Sequence, residues 1–128
     1  MTRRDSAALA GSRVLVVEDE FIIALELQSI LEEAGATVIG PACTLARALE
    51  LAEHENLSAA TLDLRLGRDS VAPVAQLLAA RHIPFVFYTG QPKGDPVRRA
   101  WPDAQVLSKP AHPKEFTRAV ASVLRKIH

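Results

Sequence analysis

Five short runs of β-branched, aromatic or small apolar residues recur along the chain, at Val14–Val17, Thr37–Ile39, Ala59–Leu64, Phe85–Tyr88 and Ala104–Ser108. Each interval between them carries apolar residues at helical spacing. Strands that alternate with helices in this way join through right-handed crossovers into a parallel sheet covered on both faces. With 48% apolar and 23% charged residues in 128, the chain can build one such core and has no room for a second. The expected fold is α/β, a doubly wound five-stranded parallel sheet over residues 13–128, preceded by a flexible tail over residues 1–12.

The helical intervals differ in strength. Ile22, Ile23, Leu27, Ile30, Leu31 and Ala34 form the stripe of the first helix, which Gly35 ends. Gly40-Pro41 closes the second strand, and Thr44 caps a second helix with Leu45, Ala48, Leu49 and Ala52 facing inward. Leu66 to Ser70 reads as a loop, followed by a third helix through Val71, Val74, Leu77 and Leu78. Pro92, Gly94, Pro96 and Pro102 confine a fourth helix to a turn or two from Asp95 to Trp101. Pro113 opens the last helix, whose stripe is Phe116, Val120, Val123, Leu124 and Ile127. Cys43 is expected as a small apolar filler near the second helix, and Trp101 either packs beneath the fourth helix or belongs to a docking surface.

Several functional classes lose ground. Lys and Arg number 15 and so do Asp and Glu, so no net field draws nucleic acid or anionic lipid. Arg98, Arg99, Arg118, Arg125 and Lys126 make a solvated or partner-facing surface. Arg3-Arg4 precedes too brief an apolar stretch for a signal peptide, and no run is long enough for a membrane span. A single cysteine fits a reducing compartment, so a soluble, cytoplasmic protein is expected. There is no phosphate-binding G-x-x-x-x-G-K-[ST] loop, no G-x-G-x-x-G turn after the first strand, and the four histidines lack ligand spacing.

In a doubly wound sheet, function gathers at the C-terminal ends of the strands near the point where the strand order reverses. There the sequence places Glu18-Asp19, Asp63, Thr89-Gly90 and Ser108-Lys109-Pro110. Three carboxylates at one edge raise each other's pKa unless a cation separates them. Mg²⁺ suits such a set, since it takes a few carboxylate oxygens and leaves positions for phosphate oxygens. A carboxylate beside Mg²⁺, a lysine and a hydroxyl can attack an activated phosphoryl group, giving an acyl phosphate. Taken singly, each of these residues reads equally well as a helix-end charge, a strand cap or a solvated lysine.

In combination, the acidic pair after Val-Leu-Val-Val, Asp63 within Leu-Asp-Leu, Thr89 after the fourth strand and Lys109-Pro110 after the fifth resemble the receiver domain of two-component response regulators, the CheY-like family. The resemblance runs from about Arg13 to the C-terminus. It implies that Asp63 is the phosphoacceptor and that Asp19 and Asp63 ligate Mg²⁺ together with the backbone carbonyl of Arg65. Glu18 would act through water, Thr89 and Lys109 would hold phosphoryl oxygens, and the Lys109-Pro110 bond would be cis. Beyond its own phosphoryl transfer and autodephosphorylation, such a protein is no enzyme.

Two features depart from the family pattern. Val106 stands where an aromatic usually lies three residues before the lysine. Phe85 to Gly90, with Leu66-Gly67, is similar to the FAT GUY group of single-domain receivers, although Gln91-Pro92 follows where that motif has an apolar residue and Tyr. This group implies a sensor histidine kinase, of the HWE type or a relative, or a phosphotransfer protein as phosphodonor. Because the last helix consumes the chain, output would be contact with a downstream protein or phosphate drainage, by a monomer or weak dimer. The alternatives are a receiver-shaped binding module that is never phosphorylated and a haloacid-dehalogenase-type phosphatase. The latter needs a second acid where Arg65 stands.

Overall fold

The computed structural model describes residues 8–90 and 95–125. Its elements are β1 (Arg13–Val17), α1 (Phe21–Glu33), β2 (Thr37–Ala42), α2 (Leu45–His54), β3 (Ala59–Leu62), β4 (Arg65–Leu66), β5 (Asp69–Ser70), α3 (Ala72–Ala80), β6 (Phe85–Thr89), α4 (Pro96–Ala100), β7 (Gln105–Ser108) and α5 (Pro113–Arg125). Five strands form one parallel sheet in the order β2-β1-β3-β6-β7. The chain goes outward from β1 to β2 and then returns to β3 on the other side of β1, so the order reverses between β1 and β3.

Strand pleating divides the core into two layers. Leu15, Val17, Ala60, Leu62, Phe85 and Phe87 point toward Ala48, Leu51 and Ala52 of α2, Val74, Ala75 and Leu78 of α3 and Val97 of α4. Val14, Val16, Ala59, Val86 and Tyr88 point toward Leu27 and Leu31 of α1 and Phe116, Ala119, Val120 and Val123 of α5. A continuous apolar run such as Val14 to Val17 therefore has both of its faces buried, each valine contributing on the order of 1.5–3 kcal/mol. Trp101 packs inward, its ring edge-on to Phe85 at 6.1 Å.

Several local expectations need correction. The second strand does not close at Gly40-Pro41 but continues to Ala42, with a shift of register against β1 between Leu15 and Val17. Gly40 makes this possible: it sits at φ +95°, where an added Cβ would lie 2.8 Å from the Ala42 nitrogen. Ile22 is 71% exposed, because the buried line of α1 runs through Ala24, Leu27 and Leu31 and Ile22 lies about 200° around the helix from Ala24. Cys43 is exposed, one residue beyond the buried Ala42 and before the helix begins. The third strand ends at Leu62, and the expected loop from Leu66 to Ser70 holds a short antiparallel hairpin, β4–β5, turning at Gly67 with φ +63°.

Residues 8–12, within the span expected as a tail, are docked. Leu9 is buried against the α1–α5 layer, and its N–H donates to the Ala34 carbonyl at 2.8 Å. Residues 1–7, Gln91 to Gly94 and Ile127 lie outside the described residues. No helix among the described residues is long and apolar enough to cross a membrane.

Candidate functional site

Backbone pairing that overruns the strand ends builds the site. The N–H of Asp63 donates to Val17 O at 3.1 Å, that of Glu18 to Ala42 O at 3.0 Å and that of Lys109 to Thr89 O at 2.9 Å. Each bond extends the ladder past the apolar run into the polar residue that follows it. Glu18, Asp63, Thr89 and Lys109 thereby share the C-terminal edge of the sheet, with Glu18 and Asp63 on the two strands between which the order reverses. The Lys109-Pro110 peptide is cis, as expected.

The side chains then converge. Lys109 Nζ lies 2.8 Å from Asp63 Oδ2 and 2.8 Å from Glu18 Oε1. One ammonium thus serves two carboxylates. Asp63 keeps 12% of its side chain exposed, whereas Glu18 keeps 1%. Burial therefore pushes the Glu18 carboxyl up to about 7, although the Lys109 hydrogen bond and charge pull the other way. For Lys109, burial by itself disfavours the charge, but hydrogen bonds and attraction from Asp63 and Glu18 outweigh it and raise the net pKa. Lys109 is the fixed cation of the site.

This differs from the expected geometry of Glu18. The sequence reading puts Glu18 in an exposed acidic edge, acting through metal-bound water. Glu18 is instead turned beneath the site, its Oε1 on Lys109 and its Oε2 accepting from the Glu20 N–H at 3.2 Å. Its own N–H pairs with Ala42 O, one residue past Pro41. Among the described residues, one carboxylate group that could hold an ion is Glu18, Asp19 and Glu20, with ligand atoms within 4.8 Å of one another.

Above Glu18 lies a cavity of about 510 Å³ lined by Asp19, Glu20, Asp63, Arg65, Thr89 and Lys109, together with Leu64, Gly67, Gly90, Asp95 and Pro96. All the expected site residues except Glu18 line it. Thr89 is 4% exposed at the end of β6. Asp19 and Asp63 present hard oxygen donors to the same space, the chemistry a small divalent cation requires.

The β4–β5 hairpin lines this cavity through Arg65 and Gly67 and is held at two points. Asp19 Oδ2 accepts from the Gly67 N–H at 2.7 Å. Arg65 Nε donates to Asp95 Oδ2 at 2.9 Å, and Asp95 Oδ1 accepts from the Val97 N–H at 2.9 Å, capping α4. Asp95 is the residue that sequence reasoning missed. Its place before Pro96 signals a helix cap, but the pairing with Arg65, 30 residues away, is visible only once the fold is assembled.

A family model described as the response regulator receiver domain matches residues 14–121. The phyllosphere-induced regulator PhyR of Methylorubrum extorquens is 28% identical over 124 residues, which is 94% of this chain and 46% of that protein. The chain spans about half the length of the curated relatives it matches. In three dimensions, a solution structure of SdrG from Sphingomonas melonis is similar with a TM-score of 0.77 and 42% identity, over 91% of this chain and 98% of that one. The receiver domain of the sensor histidine kinase PA1611 from Pseudomonas aeruginosa shares the fold, with a TM-score of 0.78 and 22% identity over 91% of this chain and 99% of that one. Its crystal structure has a magnesium ion coordinated in the active site cleft.

Proposed function

The chain belongs to the response regulator receiver domain family, whose members act in two-component signalling with histidine kinases or phosphotransfer proteins, and from that premise we propose that Asp63 is its phosphoacceptor. The observation that carries this assignment is the placement of the Asp63 carboxylate, partly exposed in the cavity, 2.8 Å from the Lys109 ammonium and beside Thr89. An Asp63 oxygen attacks the phosphorus of a phosphohistidine as the P–N bond breaks, and an acyl phosphate forms. Lys109 neutralises charge on a phosphoryl oxygen, Thr89 donates its hydroxyl to another, and Glu18 holds Lys109 from below.

Asp19 and Asp63, with the backbone carbonyl of Arg65, are the residues that would hold Mg²⁺, with Glu18 contributing through water. The cation supplies charge neutralisation for the incoming phosphoryl oxygens. Two features support this reading: the shared hard-oxygen lining of the cavity, and the magnesium bound in the cleft of the similarly folded PA1611 domain. In the same reading the donor kinase is of the HWE type or a relative, the setting is cytoplasmic, and output is contact with a downstream protein.

Incubation of the full chain with a small phosphodonor and Mg²⁺, followed by intact mass, tests the assignment. Wild type should gain one phosphoryl group and Asp63→Asn none, with the circular dichroism spectrum unchanged. Phosphorylation of Asp63→Asn at the wild-type rate would place the acceptor elsewhere.

A further inference from the structure

Lys109 ends a strand on a flexible four-carbon stem, so something besides its own backbone must fix where the ammonium meets a phosphoryl oxygen. Tyr88 does two things that bear on this. Its ring face lies 5.7 Å from Lys109 Nζ, within the range of a cation–π contact. Its hydroxyl accepts the Ala111 N–H at 3.1 Å, two residues beyond Lys109 in the turn that leads to α5.

Neighbouring groups hold the ring itself. Tyr88 is 7% exposed, packs edge-on against Phe116 of α5 with centroids 5.2 Å apart, and pairs in register with Leu107 of β7. A leucine here would keep the α1–α5 layer apolar, but it offers neither a π face nor an acceptor for Ala111. We propose that Tyr88 is a positioning residue for phosphoryl transfer: it fixes the turn that carries Lys109 and presents its ring to the ammonium, so that Lys109 meets the phosphoryl oxygen in one place. This rests on the receiver reading above.

The test is a double-mutant cycle on the full chain, reading affinity for the phosphoryl mimic beryllofluoride in the presence of Mg²⁺. Tyr88→Leu should weaken affinity about 2- to 5-fold, the scale of one exposed-to-partly-buried cation–π contact, and Tyr88→Phe, which keeps the ring, should lose less. In a Lys109→Ala background, Tyr88→Leu should add nothing. An equal loss with and without Lys109 would reduce Tyr88 to a packing residue and overturn the proposal. So would wild-type affinity in Tyr88→Leu.

Tyr88 is the single tyrosine in the chain, so its ring resonances are unambiguous and serve if the leucine variant fails to fold. They should shift on adding beryllofluoride to wild type and stay in place in Lys109→Ala; resonances unmoved in wild type that binds the mimic would overturn the proposal. Wild type that neither binds the mimic nor gains a phosphoryl group overturns the receiver reading, and this inference with it.

Discussion

At the scale of single residues, the site is a charge imbalance held in place by backbone. Glu18 has an ordinary pKa near 4.5 and is pushed up to about 7 in the fold, chiefly by burial. Between those values the folded state binds a proton that the unfolded state has released, so stability falls as pH rises through this window. Without divalent cation, chemical denaturation from pH 5 to pH 7 should show a decline of at most about 1.4 kcal/mol per pH unit from this group. Glu18→Gln should flatten that slope, and an unchanged slope would locate the titrating group elsewhere. Which polar residues gather at this edge was legible in the sequence, because each apolar strand run breaks at a polar residue and those breaks share one edge. The orientation of Glu18 was not. It depends on Lys109, far along the chain, and on the Glu20 N–H, while the Glu18 backbone is held by Ala42, which β2 reaches because Gly40 at positive φ lets the strand pass a point that reads as a stop.

Among the elements, α4 depends most on its neighbours. It has five residues, too few to sustain itself by internal hydrogen bonds, and its first turn is satisfied by Asp95. Asp95 also holds Arg65, so one carboxylate joins the hairpin that lines the cavity to α4. Asp95→Ala should raise amide exchange at Val97 to Ala100 about 5-fold, equivalent to a cap of about 1 kcal/mol. Arg65→Ala should do less, because the Arg65 side chain is 49% exposed and such pairs are worth about 0–1 kcal/mol. If the arginine change has the larger effect, the ion pair rather than the cap holds the helix. The sequence made the brevity of α4 plain through its prolines. The β4–β5 hairpin escaped because its strands are two residues each and carry no periodicity.

The molecule as a whole is two apolar layers on one sheet, and the α1–α5 layer recruits chain from before the first strand. Leu9 is 1% exposed there, although residues 1–12 read as a flexible tail. Leu9→Ala should lower unfolding free energy by about 2–4 kcal/mol, as for other buried leucines, with a matching fall in the denaturant midpoint. A change under half a kilocalorie would mean the segment is only loosely applied. The overrun pairing at the strand ends has a further consequence for the order of assembly. Asp63 and Lys109 are 46 residues apart, and Lys109 follows β7, the last strand that the sheet receives. Until that strand is made, Glu18 and Asp63 stand at the ends of β1 and β3 without the lysine that pairs with both. Lys109 answers them late, and α5, whose Phe116, Val120 and Val123 fill the second apolar layer, follows later still, so the charge balance of the site and that layer are both supplied by the last stretch of chain to be made.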